Sequence, residues 1–205
     1  LAAQGITAEL APMVRARLTA RNGQPVSATD FPDDERARRL VEREFNLSWR
    51  DALPAGNQVT AGRWFAGPGE EASVEEGLAK PLGIALGDRL EFTVAGLRKT
   101  LTVSSLRKLD WDSMRVNFFV LTPPNVLDAY PASWITSFYL APAQADFVNR
   151  LISAFPNLTV IDVAAMVRQL QMIVNQVAQA VQFVFLFALA AGIVVLYAAL
   201  ASAAE

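Results

Sequence analysis

The chain has 205 residues, 53% of them hydrophobic, with 18 Lys and Arg against 20 Asp and Glu, and it contains neither cysteine nor histidine. The missing cysteines exclude disulfides, a thiolate nucleophile and a zinc knuckle; the missing histidines remove the usual general base, the commonest metal ligand and an ordinary serine triad. A net charge of −2 with both signs interleaved argues against a nucleic-acid-binding face, because Arg36, Arg38, Arg39 and Arg43 alternate with Asp33, Asp34, Glu35, Glu42 and Glu44.

Residues 1–4 read as the end of a helix capped by Gly5, and residues 6–19 as a strand interrupted near Pro12. A turn follows at 21–25. Residues 33–45 then form a charged, internally ion-paired helix with Leu40, Val41 and Phe45 on its buried side, and a short strand is expected at 47–49. Ser73 followed by Glu76 matches a capping box and predicts a short helix over 74–81, closed by Gly83. The glycines of GPGEE around Gly67 and of LGIALGD around Gly83 are expected in turns of positive φ. Neither segment ends in the Gly-Lys-Ser/Thr that cradles a phosphate.

Residues 90–94, 99–106 and 116–121 are rich in β-branched and aromatic side chains and read as three strands, separated by Gly96 and a turn at 110–113. Asp110 and Asp112 are the nearest approach to a catalytic carboxylate pair. They would share a face on a strand, but a turn with solvent-exposed acids is the favoured reading. Strand 134–140, helix 144–154 and strand 158–161 make a β-α-β unit. Phe118, Phe119, Trp134 and Tyr139 could line a cargo groove, yet aromatics on strands belong to the core more often.

No charged residue occurs between Gln169 and Ala204, and FVFLFALAAGIVVLYAAL, residues 183–200, is almost wholly apolar. About 20 such residues at ~1.5 Å each span a hydrocarbon core of roughly 30 Å, which makes this a transmembrane helix. Its position near the C-terminal end excludes a signal peptide, and no small-residue cleavage site with a polar spacer marks a GPI signal. Asp162 caps a helix expected to run from Val163 to about Ala201. Gln171, Asn175, Gln179 and Gln182 form a polar stripe on it, opposite Leu170, Val174, Val177 and Val181. Ala188 and Gly192 stand at small-xxx-small spacing inside the span, which holds no ionisable residue.

The expected fold is α+β: a split β-α-β, porter-like lobe from residues 1–24 and 129–162, an inserted β-rich lobe at 25–128, an amphipathic stalk helix at 163–182 and a transmembrane helix at 183–201. A start at Leu1 and a stop just after the membrane segment lead us to expect a piece of a longer chain.

Three stretches, SVEEGLAKPLGIALGDRLEF (residues 73–92), NFFVL (117–121) and FPNLTVIDVAAMVRQLQMIV (155–174) running into an apolar helix, resemble the extracytoplasmic domain of FtsX-like ABC transporter permeases. This is the superfamily of MacB and of the LolC and LolE lipoprotein-release subunits. The combination is most similar to its large YbbP-type permeases. The resemblance implies a permease subunit in the bacterial inner (plasma) membrane, with residues 1–162 periplasmic and residues 163–182 the stalk of a second membrane helix. It implies a cognate cytoplasmic ABC ATPase as the site of ATP hydrolysis, a second permease copy or homologous permease, membrane lipid, and a periplasmic partner. Hydrophobic or lipid-linked cargo follows from the same resemblance, which supplies no catalytic, cofactor-binding or metal-ligating residues. The partner-binding hook loop of the lipoprotein-handling relatives is not recognisable here. Two other readings compete: a single-pass, membrane-anchored ligand sensor or adaptor, and a tethered hydrolase using Asp110 and Asp112.

Overall fold

The computed structural model describes residues 6, 8–113, 115–141, 144 and 146–203. Contacts divide the chain into one unit up to Leu140 and another from Ala141. The helix end expected at residues 1–5 lies outside the described residues.

The first unit is built on nine strands: β1 (Ala11–Arg21), β2 (Gln24–Pro25), β3 (Phe45–Trp49), β4 (Asn57–Gly62), β5 (Glu71–Glu75), β6 (Arg89–Val94), β7 (Leu97–Leu109), β8 (Val120–Thr122) and β9 (Ser133–Ile135). Two helices accompany them, α1 (Glu35–Glu42) and α2 (Glu76–Ala79). Six of the strands close on themselves, because β1 pairs β3, β3 pairs β8, β8 pairs β5, β5 pairs β7, β7 pairs β6, and β6 returns to β1. Closure removes the open edges that a flat sheet of these strands would present. β4 extends the ring along β7, β2 folds back on β1, and β9 pairs only with the start of β1.

The period-2 alternation of each strand puts one set of side chains inside the ring. Val14, Ala16 and Leu18 of β1, Phe45 and Leu47 of β3, Val74 of β5, Leu90, Phe92 and Val94 of β6, Leu101 and Val103 of β7 and Val120 of β8 form one buried cluster. Ala37, Leu40 and Val41 of α1 and Leu78 and Ala79 of α2 join the same cluster. Each large member contributes about 1.5–3 kcal/mol by leaving water. The turn joining β1 to β2 is Asn22-Gly23, with φ of 52° and 79°, the left-handed pair that a two-residue hairpin requires.

The second unit holds α3 (Asp146–Ala154) and α4 (Val163–Ala203). The Asp162 carboxylate accepts from the Ala165 N–H at 2.8 Å, so the expected cap is present. From that cap α4 runs without a break for 41 residues, about 60 Å at ~1.5 Å per residue. Its stretch Val163–Leu196 is long and apolar enough to cross a bilayer, and none of its most apolar window is buried within the chain.

Several local expectations change. Pro12 does not interrupt its strand but lies second in β1, facing Trp134 of β9, near the strand start where a missing N–H is tolerated. α1 stops at Glu42, so Phe45 is buried as the first residue of β3 rather than as the last of a helix. Ser73 is no cap: it is a buried residue of β5, its hydroxyl accepting from Ser105 Oγ at 2.8 Å, and the helix begins only at Glu76. Glu75 caps it instead, accepting from the Leu78 N–H at 3.1 Å. Pairing with β7 and β8 recruits Ser73 and Val74 into the sheet, a non-local gain that a capping motif cannot match.

Gly83 and Gly87 have positive φ as expected, whereas Gly67 and Gly69 do not. The strand expected at 99–106 lengthens to Leu97–Leu109, while those at 116–121 and 134–140 shrink to Val120–Thr122 and Ser133–Ile135. Residues 158–161 form no strand, so the β-α-β unit is not completed among the described residues. Their apolar, β-branched composition favours pairing, but a strand exists only with a partner edge, and none of the described strands pairs with them.

Candidate ligand-binding cleft

In the first unit, a cleft of about 290 Å³ is walled by Met13 of β1, Arg43 at the end of α1, Ile135 of β9, and Trp111, Arg115 and Phe119 from the segment leading into β8. Asn46 and Asn117 add amide groups. The rings are stacked in sequence: Trp111 lies 5.2 Å from Phe119, and Phe119 meets Phe45 edge-on at 6.2 Å. Above them the Arg43 guanidinium sits 5.4 Å from the Phe119 centroid and 5.6 Å from that of Phe45, a cation–π arrangement. Trp111 is half exposed and Phe119 partly buried, so the aromatic wall is open to solvent on one side.

α1 places Arg43 here. Asp34 caps the helix by accepting from the Ala37 N–H at 2.9 Å, its buried stripe fixes its rotation, and Arg43 is the residue at which the chain leaves helical geometry. The segment 115–119 is held from behind by Arg107. That side chain is wholly buried, donates from Nη1 to Asn57 Oδ1 at 2.7 Å and from Nη2 to the carbonyl of Phe118, and faces Glu75 across the β5–β7 register. Burial pushes its pKa down to about 10, opposed by the charge of Glu75. Asn57 in turn donates to Asn117 Oδ1 at 3.0 Å, so one buried cation connects β4, β5 and the cleft wall to β7.

The other candidates stand elsewhere or in other roles. Asp110 is exposed, its N–H donating to the Gly56 carbonyl at 3.0 Å and its own carbonyl accepting from Ser113 Oγ at 2.7 Å. Asp112 lies in the helical turn Trp111–Ser113, so the segment lacks the strand alternation that would put two acids on one face. Phe118 is buried in the core and also lines the cleft, whereas Trp134 and Tyr139 are 61% and 83% exposed; Trp134 packs edge-on against Trp49 at 6.2 Å. Among the described residues no group of three or more Asp or Glu could hold a metal ion.

Arg107 could have been found in the sequence. It shares the parity of Leu101, Val103, Ser105 and Leu109, all buried, so the alternation itself puts it on the inner face. The convergence of Arg43, Trp111 and Arg115 has no such local signal.

No family profile matches the chain. Over 158 residues it is 40% identical to the uncharacterized ABC transporter permease YbbP of Escherichia coli (strain K12). The chain is similar to a segment of an ABC transporter permease. That match covers 77% of this chain and 18% of YbbP, so the chain spans about a fifth of the relative's length. A solved structure described as a permease-protein domain from Porphyromonas gingivalis aligns over 73% of this chain and 70% of its own, at 15% identity and a TM-score of 0.36. The identity to YbbP bears out the resemblance to ABC permeases, and together with one apolar, membrane-length helix among the described residues it fits a membrane protein.

Proposed function

We infer that this segment is the periplasmic domain and second membrane helix of an ABC transporter permease in the bacterial inner membrane. The observation that carries this is α4: one helix, capped at Asp162, that passes without interruption from the polar-striped residues 163–182 into the apolar residues 183–201. A helix without a hinge transmits displacement along its axis; a mere anchor needs only the apolar half. ATP is hydrolysed by a separate cytoplasmic ATPase, which moves the stalk, and the domain above handles hydrophobic or lipid-linked cargo. A second permease copy or homologous permease, and a periplasmic partner, complete the assembly.

Within the first unit, the start of β1 and the segment around β9 belong to one split lobe, into which the β-rich residues 25–128 are inserted. Support comes from the contact of distant segments: Ala11–Met13 face Ser133–Ile135, and Thr136 Oγ1 donates to the Glu9 carbonyl at 2.9 Å. β1 serves both lobes, its first residues pairing β9 and its later ones entering the closed ring.

The test places a fluorescent label in the first unit of the full-length permease, assembled with its ATPase in proteoliposomes. Val177→Pro removes an i→i−4 bond and kinks α4 in mid-stalk, at ~3 kcal/mol or more. The nucleotide-driven change in label signal is expected to vanish while ATP hydrolysis continues. An unchanged signal in the variant would overturn mechanical coupling through α4.

A further inference from the structure

We propose that the cleft beside Trp111 binds an anionic amphiphile, a single acyl chain ending in a carboxylate or phosphate. The proposal rests on the permease reading only for the origin of the ligand; the binding chemistry is that of the cleft.

Two guanidiniums, Arg43 and Arg115, stand in its wall, and Arg15 is exposed beside it, directly across the β1–β3 register from Asn46 and on the same strand face as Met13. Among the described residues seven ion pairs form, and none uses Arg15, Arg43 or Arg115. Elsewhere on this surface Arg39 pairs with Glu35, Arg63 with Glu71 and Arg50 with Glu9, while Arg17, Arg38 and Arg89, which form none of these pairs either, do not line the cleft. Three cations around one concavity, none of them in an ion pair among the described residues, create a positive potential focused by its low-dielectric walls.

The same concavity is floored by apolar groups, Met13, Phe119 and Ile135, with the Trp111 ring, 49% exposed, along its side. A small inorganic anion would use the guanidiniums and leave those surfaces wet. A neutral lipid would cover the rings and leave the guanidiniums unpaired. Only a ligand with an anionic head and an apolar tail satisfies both, with the fork of an arginine suited to two oxygens of a carboxylate or phosphate. At about 290 Å³ the cleft is near the lower limit of ligand pockets, so it takes the head and first part of a chain rather than a two-tailed lipid.

All four tryptophans, Trp49, Trp64, Trp111 and Trp134, lie in the first unit and none in α4, so tryptophan emission reports on this unit alone. The experiment places the full chain in phosphatidylcholine nanodiscs and titrates 8-bromooctanoate, whose bromine quenches indole. Saturable quenching is expected, lost in Trp111→Phe and displaced by octyl phosphate. Arg43→Gln with Arg115→Gln should weaken it at least tenfold, and 8-bromooctanol, of equal chain length, should bind wild type at least tenfold more weakly. Since the octanoate-to-octanol ratio needs no variant, the proposal stays testable if the double variant does not fold.

Linear quenching without saturation would overturn the site. So would equal binding of 8-bromooctanol, or displacement by inorganic phosphate as effective as by octyl phosphate. Failure here leaves the coupling role of α4 standing. Failure of the Val177→Pro experiment with saturable binding intact would remove the coupling and keep the site.

Discussion

Arg107 ties three segments to one strand. Its guanidinium meets Asn57 of β4 and the Phe118 carbonyl and faces Glu75 of β5, while its Nε has no hydrogen-bond partner. Removing one member of such a buried group strands the others, at a cost of about 3–5 kcal/mol. Arg107→Met is therefore expected to destabilise the domain by about that amount in urea unfolding followed by tryptophan fluorescence. Adding Glu75→Gln should restore part of the loss, because the remaining carboxylate no longer lacks a countercharge; strict additivity would show that the two do not interact.

Asp88 offers a pH-dependent counterpart. Partial burial opposes its ionisation, but hydrogen bonds from Asn22 Nδ2 at 2.7 Å and the Ala85 N–H at 2.9 Å, with the Arg21 charge nearby, outweigh it and hold its pKa below the ordinary 3.8. A carboxylate with a depressed folded pKa contributes stability that is complete above its unfolded pKa and is lost as pH falls through the folded one. Asp88→Ala should thus lower the melting temperature near neutral pH. The difference from wild type should shrink below about pH 4; a pH-independent difference would assign Asp88 no electrostatic role.

Among the elements, the junction of β4 and β7 is the most sterically exacting. Gly62 has φ of +77°, and a Cβ there would lie 2.2 Å from the Ser104 carbonyl oxygen, a backbone atom that cannot turn aside. The β4–β7 register shifts just before it, between Val59 and Ala61. Gly62→Ala should cost at least ~1–3 kcal/mol in the same unfolding assay, well above the effect of Gly23→Ala, where nothing lies within 4 Å of the added carbon. A similar cost at both positions would show that φ alone, rather than the Ser104 contact, sets the penalty.

The elements differ in how far their sequence announces them. α1 was legible because its cap, its i,i+4 pair Arg39–Glu35 at 2.9 Å and its apolar stripe are all local. The hairpin β6–β7 was legible through Gly96 and strict alternation. Ser73 departs from its capping motif because that motif is local while its pairing with β7 and β8 is not. Residues 158–161 show the converse: a strand-like composition with no described edge to complete it.

For the whole molecule, α4 is the element on which the permease reading depends. Its Asp162 cap, its uncharged run after Arg168 and its continuity over 41 residues make Val177→Pro an informative break, far from both cap and apolar end. The variant should leave the buried ring of the first unit as stable as wild type, since no residue of α4 belongs to that core cluster. Tryptophan-monitored unfolding checks this, and a large loss there would mean that the stalk supports the domain rather than moving with it.

Sequence alone determined that this chain has a helix able to span a bilayer, that cysteine and histidine chemistry is closed to it, and that it resembles ABC permeases, the last confirmed by 40% identity to YbbP over 158 residues. These are properties of composition, period and local order. Tertiary structure decided that β1 closes a ring with β3 and β6, that Arg107 is buried behind the cleft wall, and that Arg43, Trp111 and Arg115 meet around one concavity. Those residues are separated by up to 72 positions, and only strand pairing, which acts through space and carries no fixed spacing along the chain, brings them together.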